Sequence, residues 1–173
     1  MRLKQFNFKK VKSTNLTAIK LIKSSKSEFG LIVSETQSKG KGQYGRKWIS
    51  YKGNIFLSFF YKLENINLSL RSLTKINCFL VKNVISKYYK KKITFKLPND
   101  LLINNKKICG ILQEKIENSK KQYFVVGIGF NLIKSPNIHN YPTTNLFKIT
   151  NQKINKKKFV KELKITFEKF LSK

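Results

Sequence analysis

The sequence predicts a single α+β domain spanning residues 1–173, with a mixed, largely antiparallel sheet and helices mainly on one face. Three observations carry that expectation. A chain of 173 residues that is 40% hydrophobic and 13% aromatic can bury one proper core. Two segments, 68–89 and 156–171, repeat their apolar residues at helical spacing. Between them, residues 93–131 fall into short β-type runs separated by Asn-containing turns, the pattern of an antiparallel meander.

Taken in order, Arg2 to Lys9 alternates loosely through Leu3, Gln5, Phe6 and Phe8 and reads as a short strand. Ser13, Thr14 and Asn15 then offer capping oxygens ahead of Leu16, Ile19, Leu21 and Ile22, so a helix follows. A polar linker, Ser24 to Phe29, ends at Gly30, where Leu31-Ile32-Val33 opens a strand that delivers Glu35 and Gln37 to the next segment. The aromatic run Asn54 to Phe60 is another strand. From Leu68 to Tyr89, Leu73, Ile76, Phe79, Leu80, Val84 and Ile85 form an apolar helical face opposite Lys75, Lys82 and Lys87. Strands follow at Ile93 to Phe95, Leu101 to Ile103, Ile108 to Ile116 and Tyr123 to Phe130, with turns at Asn104-Asn105 and near Asn118-Ser119. A loop from Ile133 to Asn145, containing Pro136 and Pro142, closes the sheet, and Lys156 to Leu171 forms a last amphipathic helix through Phe159, Leu163, Phe167 and Phe170.

The most informative stretch lies between the second and third strands and runs Gln37-Ser38-Lys39-Gly40-Lys41-Gly42-Gln43-Tyr44-Gly45-Arg46-Lys47-Trp48. Three glycines within six residues, interleaved with cations, give a backbone that can wrap an anion with N–H groups and side chains. The segment lacks the Gly-Lys-Ser/Thr ending and following helix of a P-loop, which excludes an ordinary nucleotide hydrolase.

The net charge of +29 points toward nucleic acid, an anionic surface or an acidic partner. Its lysines are scattered with Asn and Ile over the whole chain, however, and only Arg2, Arg46 and Arg71 are arginine, so much of the charge is compositional. Cys78 and Cys109 have no metal-site spacing, which predicts reduced thiols and no resident metal. No apolar run reaches signal-peptide or membrane-spanning length, so a soluble, cytoplasmic protein without a membrane partner is expected.

Four stretches, in order and spacing, closely resemble the catalytic domain of biotin protein ligases: Ser13-Thr14-Asn15; Gln37 to Trp48; Lys96-Leu97-Pro98-Asn99-Asp100 with Lys107-Ile108-Cys109-Gly110-Ile111-Leu112-Gln113-Glu114; and Gly127-Ile128-Gly129-Phe130-Asn131. The resemblance implies the fold shared with class II aminoacyl-tRNA synthetases and lipoate ligases. It also implies an ATP-dependent ligase that activates biotin as biotinoyl-5'-AMP and transfers it to a lysine of a biotin carboxyl carrier protein, an acidic acceptor. Biotin and ATP are then substrates, with Mg2+ accompanying the nucleotide.

By the same resemblance, Ser13, Thr14, Asn15, Gln37, Gly40, Lys41, Gly42 and Gln43 would hold biotin and its activated carboxylate. Trp48 would stack on adenine, Asn99 and Asn131 would meet the nucleotide, and Gly110 would belong to the same pocket. Lys107 would orient the biotin carboxylate, Arg46 would contact phosphate, and Asp100 would orient Lys107 or support the acceptor lysine. Cys109 is expected beside the biotin pocket as a small packing residue, Glu114 as a sheet-edge charge and His139 as solvent-facing.

The sequence also departs from the family pattern. The commonest glycine loop reads Gly-Arg-Gly-Arg, whereas here Lys41 and Gln43 take the arginine positions. Lysine keeps a point charge for phosphate, but glutamine does not, so weaker retention of the adenylate is expected. There is no room before Lys4 for a winged-helix domain and nothing after Lys173 for a C-terminal barrel, so no DNA partner or transcriptional control is expected. Two other readings stand beside this one. A lipoate or octanoate ligase would share the fold, and the Gln37 to Trp48 loop argues against it. A basic nucleic-acid-binding module is disfavoured because the chain has no recognition helix, zinc spacing or aromatic-basic motif.

Overall fold

The computed structural model of the chain describes residues 2–24, 27–63 and 68–172. Residues 25 and 26 of the expected linker therefore lie outside the described residues. The element order is β1 (Gln5–Val11), α1 (Thr14–Lys23), β2 (Gly30–Gln37), β3 (Ile55–Lys62), α2 (Leu70–Ile85), β4 (Thr94–Lys96), β5 (Asp100–Ile103), β6 (Lys106–Asn118), β7 (Lys121–Phe130), α3 (Leu146–Thr150) and α4 (Lys156–Leu171). The strands form one sheet in the order β1-β2-β3-β7-β6-β5-β4. Only β1 and β2, joined through α1, run parallel; every other neighbouring pair is antiparallel.

Period-two alternation divides the sheet between two packing partners. Leu31 of β2, Leu57, Phe59 and Tyr61 of β3 and Phe124, Val126, Ile128 and Phe130 of β7 join the main core, with Leu73, Val81, Val84 and Ile85 of α2 and Phe159, Leu163 and Phe167 of α4. Phe167 stacks on Phe59 with ring centroids 3.8 Å apart, and Phe159 stacks on Phe130 at 4.9 Å. Burial of rings of this size is worth about 2 kcal/mol or more each, which ties the last helix to the middle of the sheet. On the opposite face, Ala18 and Ile22 of α1 pack on Ile32, Phe60, Tyr123 and Val125. The two 16-residue helices thus share one face, while α1 takes the other.

Several boundaries differ from expectation, α2 for one running Leu70–Ile85 where Leu68 to Tyr89 is expected. The first strand begins at Gln5 rather than Arg2 and extends to Val11. The β6–β7 turn is centred on Ser119 and Lys120, both at positive φ, one residue beyond the expected site. The β5–β6 turn does sit on Asn104-Asn105, also both at positive φ, a conformation that asparagine tolerates. One helix was not foreseen: α3, whose first turn is capped by Asn145 through Lys148 N at 2.8 Å and which ends at Asn151 in the left-handed region. No helix among the described residues is long and apolar enough to cross a membrane.

Candidate active site

Because α1 is short, it covers only part of its face, and the remainder is a cleft of about 810 Å³. Its floor is made by Gly110 of β6 and Gly127 and Gly129 of β7, with the side chains of α1 and the 38–54 segment laid over it. The glycines are demanded by close approach. A methyl group on Gly127 would fall 2.2 Å from Asn15 Oδ1, and one on Gly110 would fall 2.7 Å from the Trp48 ring.

At the α1 end the polar side chains are buried and joined to one another. Ser13 caps the helix, accepting from Leu16 N. Thr14 donates to Gln37 Oε1 through both its backbone N–H, at 2.8 Å, and its hydroxyl, at 3.2 Å. Gln37 in turn donates from Nε2 to Ser50 Oγ at 3.2 Å. Asn15 accepts from Ser58 Oγ at 2.5 Å and donates to Glu114 Oε2 at 2.6 Å. Glu114, on the part of β6 that runs past the end of β5, is therefore more than a sheet-edge charge, because its carboxylate fixes the Asn15 amide.

The glycine segment folds as a small hairpin. Trp48 N donates to Gly40 O at 2.9 Å, Gly42 N donates to Arg46 O at 2.6 Å, and Lys41 bridges Lys47. Gly40 has no room for a side chain, because a Cβ there would meet Trp48 O at 2.6 Å. At the tip, Tyr44 and Gly45 both adopt positive φ. The hairpin aims Lys41, Gln43, Arg46 and Lys47 at the cleft and seats Trp48 on its floor. Trp48 Nε1 is buried over Gly129 of the floor without a hydrogen-bond partner in the protein.

The charged centre lies at the other end. Lys107 Nζ is 2.9 Å from Asp100 Oδ1 and 5.2 Å from the Trp48 ring centroid. Asp100 Oδ2 accepts from the Tyr141 hydroxyl. Burial, followed by the Asp100 carboxylate, pushes the Tyr141 phenol well up, so it is a proton donor at neutral pH. Lys107 reaches the cleft because of a bulge: Leu101 pairs with Cys109 and Leu102 with Lys107, leaving Ile108 extra. Cys109 consequently faces the core rather than the cleft; its thiol is fully enclosed and pushed well up by burial. Asn99 and Asn131 line the cleft, but their amides brace the scaffold, Asn99 Nδ2 donating to Ile111 O at 3.1 Å and Asn131 Nδ2 to Thr144 O at 3.1 Å. His139 is exposed at the cleft margin.

The structure thus brings Ser13, Thr14, Asn15, Gln37, Lys41, Gly42, Gln43, Arg46, Trp48, Asn99, Asp100, Lys107, Gly110 and Asn131 to one cleft, with Gly40 closing the base of the hairpin above it. Three residues were missed. Ser58 orients Asn15. Asn54 accepts three backbone N–H groups, from Leu132, Ile133 and Lys134, at 3.0 to 3.1 Å and so shapes the turn after Asn131. Tyr141 holds Asp100. An Asn ahead of an apolar run hints at Asn54, but nothing local separates Tyr141 from the other tyrosines. Chemically, the cleft sets buried hydrogen-bonding groups at one end, several cations in the middle and an aromatic face with an unpaired N–H, an arrangement suited to an elongated, partly anionic ligand.

Comparison with known proteins agrees. The sequence model described as Biotin/lipoate A/B protein ligase family matches residues 7–131. The Bifunctional ligase/repressor BirA of Bacillus subtilis (strain 168) is 30% identical over 165 residues, covering 91% of this chain and 50% of that protein. The chain thus spans about half the length of this relative. Among solved structures, the biotin protein ligase from Aquifex aeolicus in complex with biotin and ATP superposes with a TM-score of 0.82 at 25% identity, over 98% of this chain and 70% of that one. The Leishmania major biotin protein ligase in complex with biotinyl-5-AMP shares the fold, with a TM-score of 0.79 at 20% identity over 94% of this chain and 72% of that one.

Proposed function

Because the chain belongs to the Biotin/lipoate A/B protein ligase family, we propose that it is an ATP-dependent biotin protein ligase. In the first step an oxygen of the biotin carboxylate attacks the α-phosphorus of ATP, the bond to the β-phosphate oxygen breaks, and pyrophosphate leaves. In the second, the neutral amine of an acceptor lysine attacks the acyl carbon of biotinoyl-5'-AMP, AMP leaves with the bonding pair, and the amine loses a proton.

The observation that carries this reading is the position of Lys107, fixed 2.9 Å from Asp100 and across the glycine floor from the buried polar cluster of α1. An acid whose head group lies against Thr14, Asn15 and Gln37 would extend its carboxylate toward Lys107 and the hairpin cations. The first step brings two anions together, so fixed positive charge at that meeting point stabilises the transition state. Trp48, lining the cleft, offers a ring face to the nucleotide base. Among the described residues no group of three His, Cys, Asp or Glu side chains could hold a metal ion, so Mg2+ would enter as the counter-ion of ATP. The acceptor would be a lysine on an acidic biotin carboxyl carrier protein, complementary to the +29 charge.

The test is exchange of labelled pyrophosphate into ATP with biotin, lipoate or octanoate, or no acid, followed by mass spectrometry of a biotin carrier domain. Exchange with biotin alone and one modified carrier lysine are the expected results. Exchange only with lipoate or octanoate would move the assignment to the other branch of the family. No exchange with any acid, together with salt-dependent DNA binding, would favour a nucleic-acid-binding module.

A further inference from the structure

Tyr141 lies beyond the stretch that matches the family, residues 7–131, on a segment without regular structure between β7 and α3. Its side chain nevertheless reaches the most charged part of the cleft. The hydroxyl donates to Asp100 Oδ2, while Asp100 Oδ1 takes the Lys107 ammonium at 2.9 Å. The Tyr141 ring lies 5.4 Å from Lys107 Nζ and 4.3 Å from Lys96 Nζ, measured to the ring centroid. The backbone on its C-terminal side is tied to the same lysine: Lys107 N donates to Pro142 O at 2.8 Å, and Thr144 N donates to Lys107 O at 2.9 Å.

We propose that Tyr141 is a positioning residue whose hydroxyl occupies one oxygen of Asp100, leaving the other to fix the Lys107 ammonium toward the cleft. What that ammonium does in catalysis rests on the biotin ligase reading; the positioning itself does not. Asp100 is only 8% exposed, so bulk water does not readily replace a lost donor at Oδ2. A carboxylate with both oxygens free would turn and draw Lys107 toward itself. With Oδ2 occupied, the ammonium is held as an ion pair at Oδ1, and its N–H groups remain available to a carboxylate or phosphate in the cleft. A phenol serves as this donor because burial and the adjacent carboxylate keep it protonated.

Tyr141→Phe keeps the ring facing the two ammonium groups and removes only the hydroxyl. One readout needs no substrate: acetylation of the native protein by a trace of N-hydroxysulfosuccinimide acetate, with the Lys107 rate read against exposed lysines by peptide mass spectrometry. The variant is expected to change the relative Lys107 rate several-fold. The second readout is biotin-dependent pyrophosphate exchange, expected to fall about tenfold in kcat with KM for biotin and ATP little changed, the loss appropriate to one hydrogen bond to a charged group. In an Asp100→Asn background Tyr141→Phe should alter neither value further, because the link it acts through is gone. Unchanged Lys107 acetylation in Tyr141→Phe, or effects that add in the double variant, would overturn the proposal. Absence of exchange in the unaltered protein would remove the ligase reading alone, and the acetylation readout would still decide the role of Tyr141.

Discussion

A methyl group on Gly129 would lie 2.4 Å from the indole of Trp48, the only tryptophan in the chain. The ring is therefore held flush with the sheet, and its emission reports on the cleft. Gly129→Ala should lift the ring into open cleft space while leaving the core intact. The expected result is a red-shifted emission and a KM for ATP raised about tenfold, within the roughly 1–3 kcal/mol that stacking of a base on an aromatic ring is worth. An unchanged spectrum with unchanged KM would show that the indole is not seated as described.

Lys107→Ala should lower biotin-dependent pyrophosphate exchange about a hundredfold, and Arg46→Ala should also lower it, in line with removal of transition-state charge stabilisation. The two variants should differ in stability. Arg46 is exposed on the hairpin, whereas Lys107 is paired with a nearly buried carboxylate. Stranding that charge costs about 3 kcal/mol, so Lys107→Ala should melt at lower temperature. Adding Asp100→Asn should restore melting but not exchange; restored exchange would deny Lys107 its role.

Gln43 lines the cleft from the start of the hairpin turn, where a neutral amide cannot attract phosphate as a guanidinium would. Gln43→Arg should slow escape of the adenylate and reduce biotin labelling of a bystander protein in a mixed reaction. Equal bystander labelling by the two proteins would contradict this.

The +29 charge should govern encounter with an acidic carrier more than chemistry inside the cleft. At saturating biotin and ATP, kcat/KM for carrier transfer should fall steeply from low to physiological ionic strength, where the screening length is about 8 Å. Adenylate formation should change far less. If both steps decline together, or neither does, the charge is compositional only.

Burial, with a smaller contribution from Asp100, pushes the Cys78 thiol up from its ordinary value of 9.0 to about 11. Burial pushes Cys109 well up too. In this window the unfolded chain releases these protons while the folded chain keeps them, so stability is insensitive to Cys78 below pH 9 and is lost as pH rises from about 9 toward 11. Denaturant midpoints measured across that range should fall, and by less in Cys78→Ala. Iodoacetamide should label both cysteines only when the protein is unfolded; rapid labelling in the native state would contradict the burial described.

Most elements were legible because their signals are local. Helical spacing from Leu73 to Ile85, the Asn104-Asn105 turn and the β-type run from Tyr123 to Phe130 each depend on neighbours within a few residues. The short α3 was missed because five residues hold too little periodicity to stand out from a loop. Much of the candidate cleft was legible too, since the glycines that admit Asn15 and Trp48 are spaced along the strands themselves. The partnerships Ser58–Asn15–Glu114 and Tyr141–Asp100 were not, because they join residues more than 40 positions apart.

The class of the fold and the supply of glycines and cations between β2 and β3 are written along the chain, because each depends only on nearby residues. The direction of the Lys107 side chain is set instead by how β5 and β6 pair in the fold. Counted by twos from Gly110, Lys107 falls on the core side with Cys109 and Ile111. The bulge at Ile108 shifts the pairing against Leu101 and Leu102 and turns Lys107 to the cleft, opposite Asp100. Bulges arise from how two strands meet, with turns, buried neighbours and backbone hydrogen bonds satisfied together, and the residues of one strand do not specify that outcome.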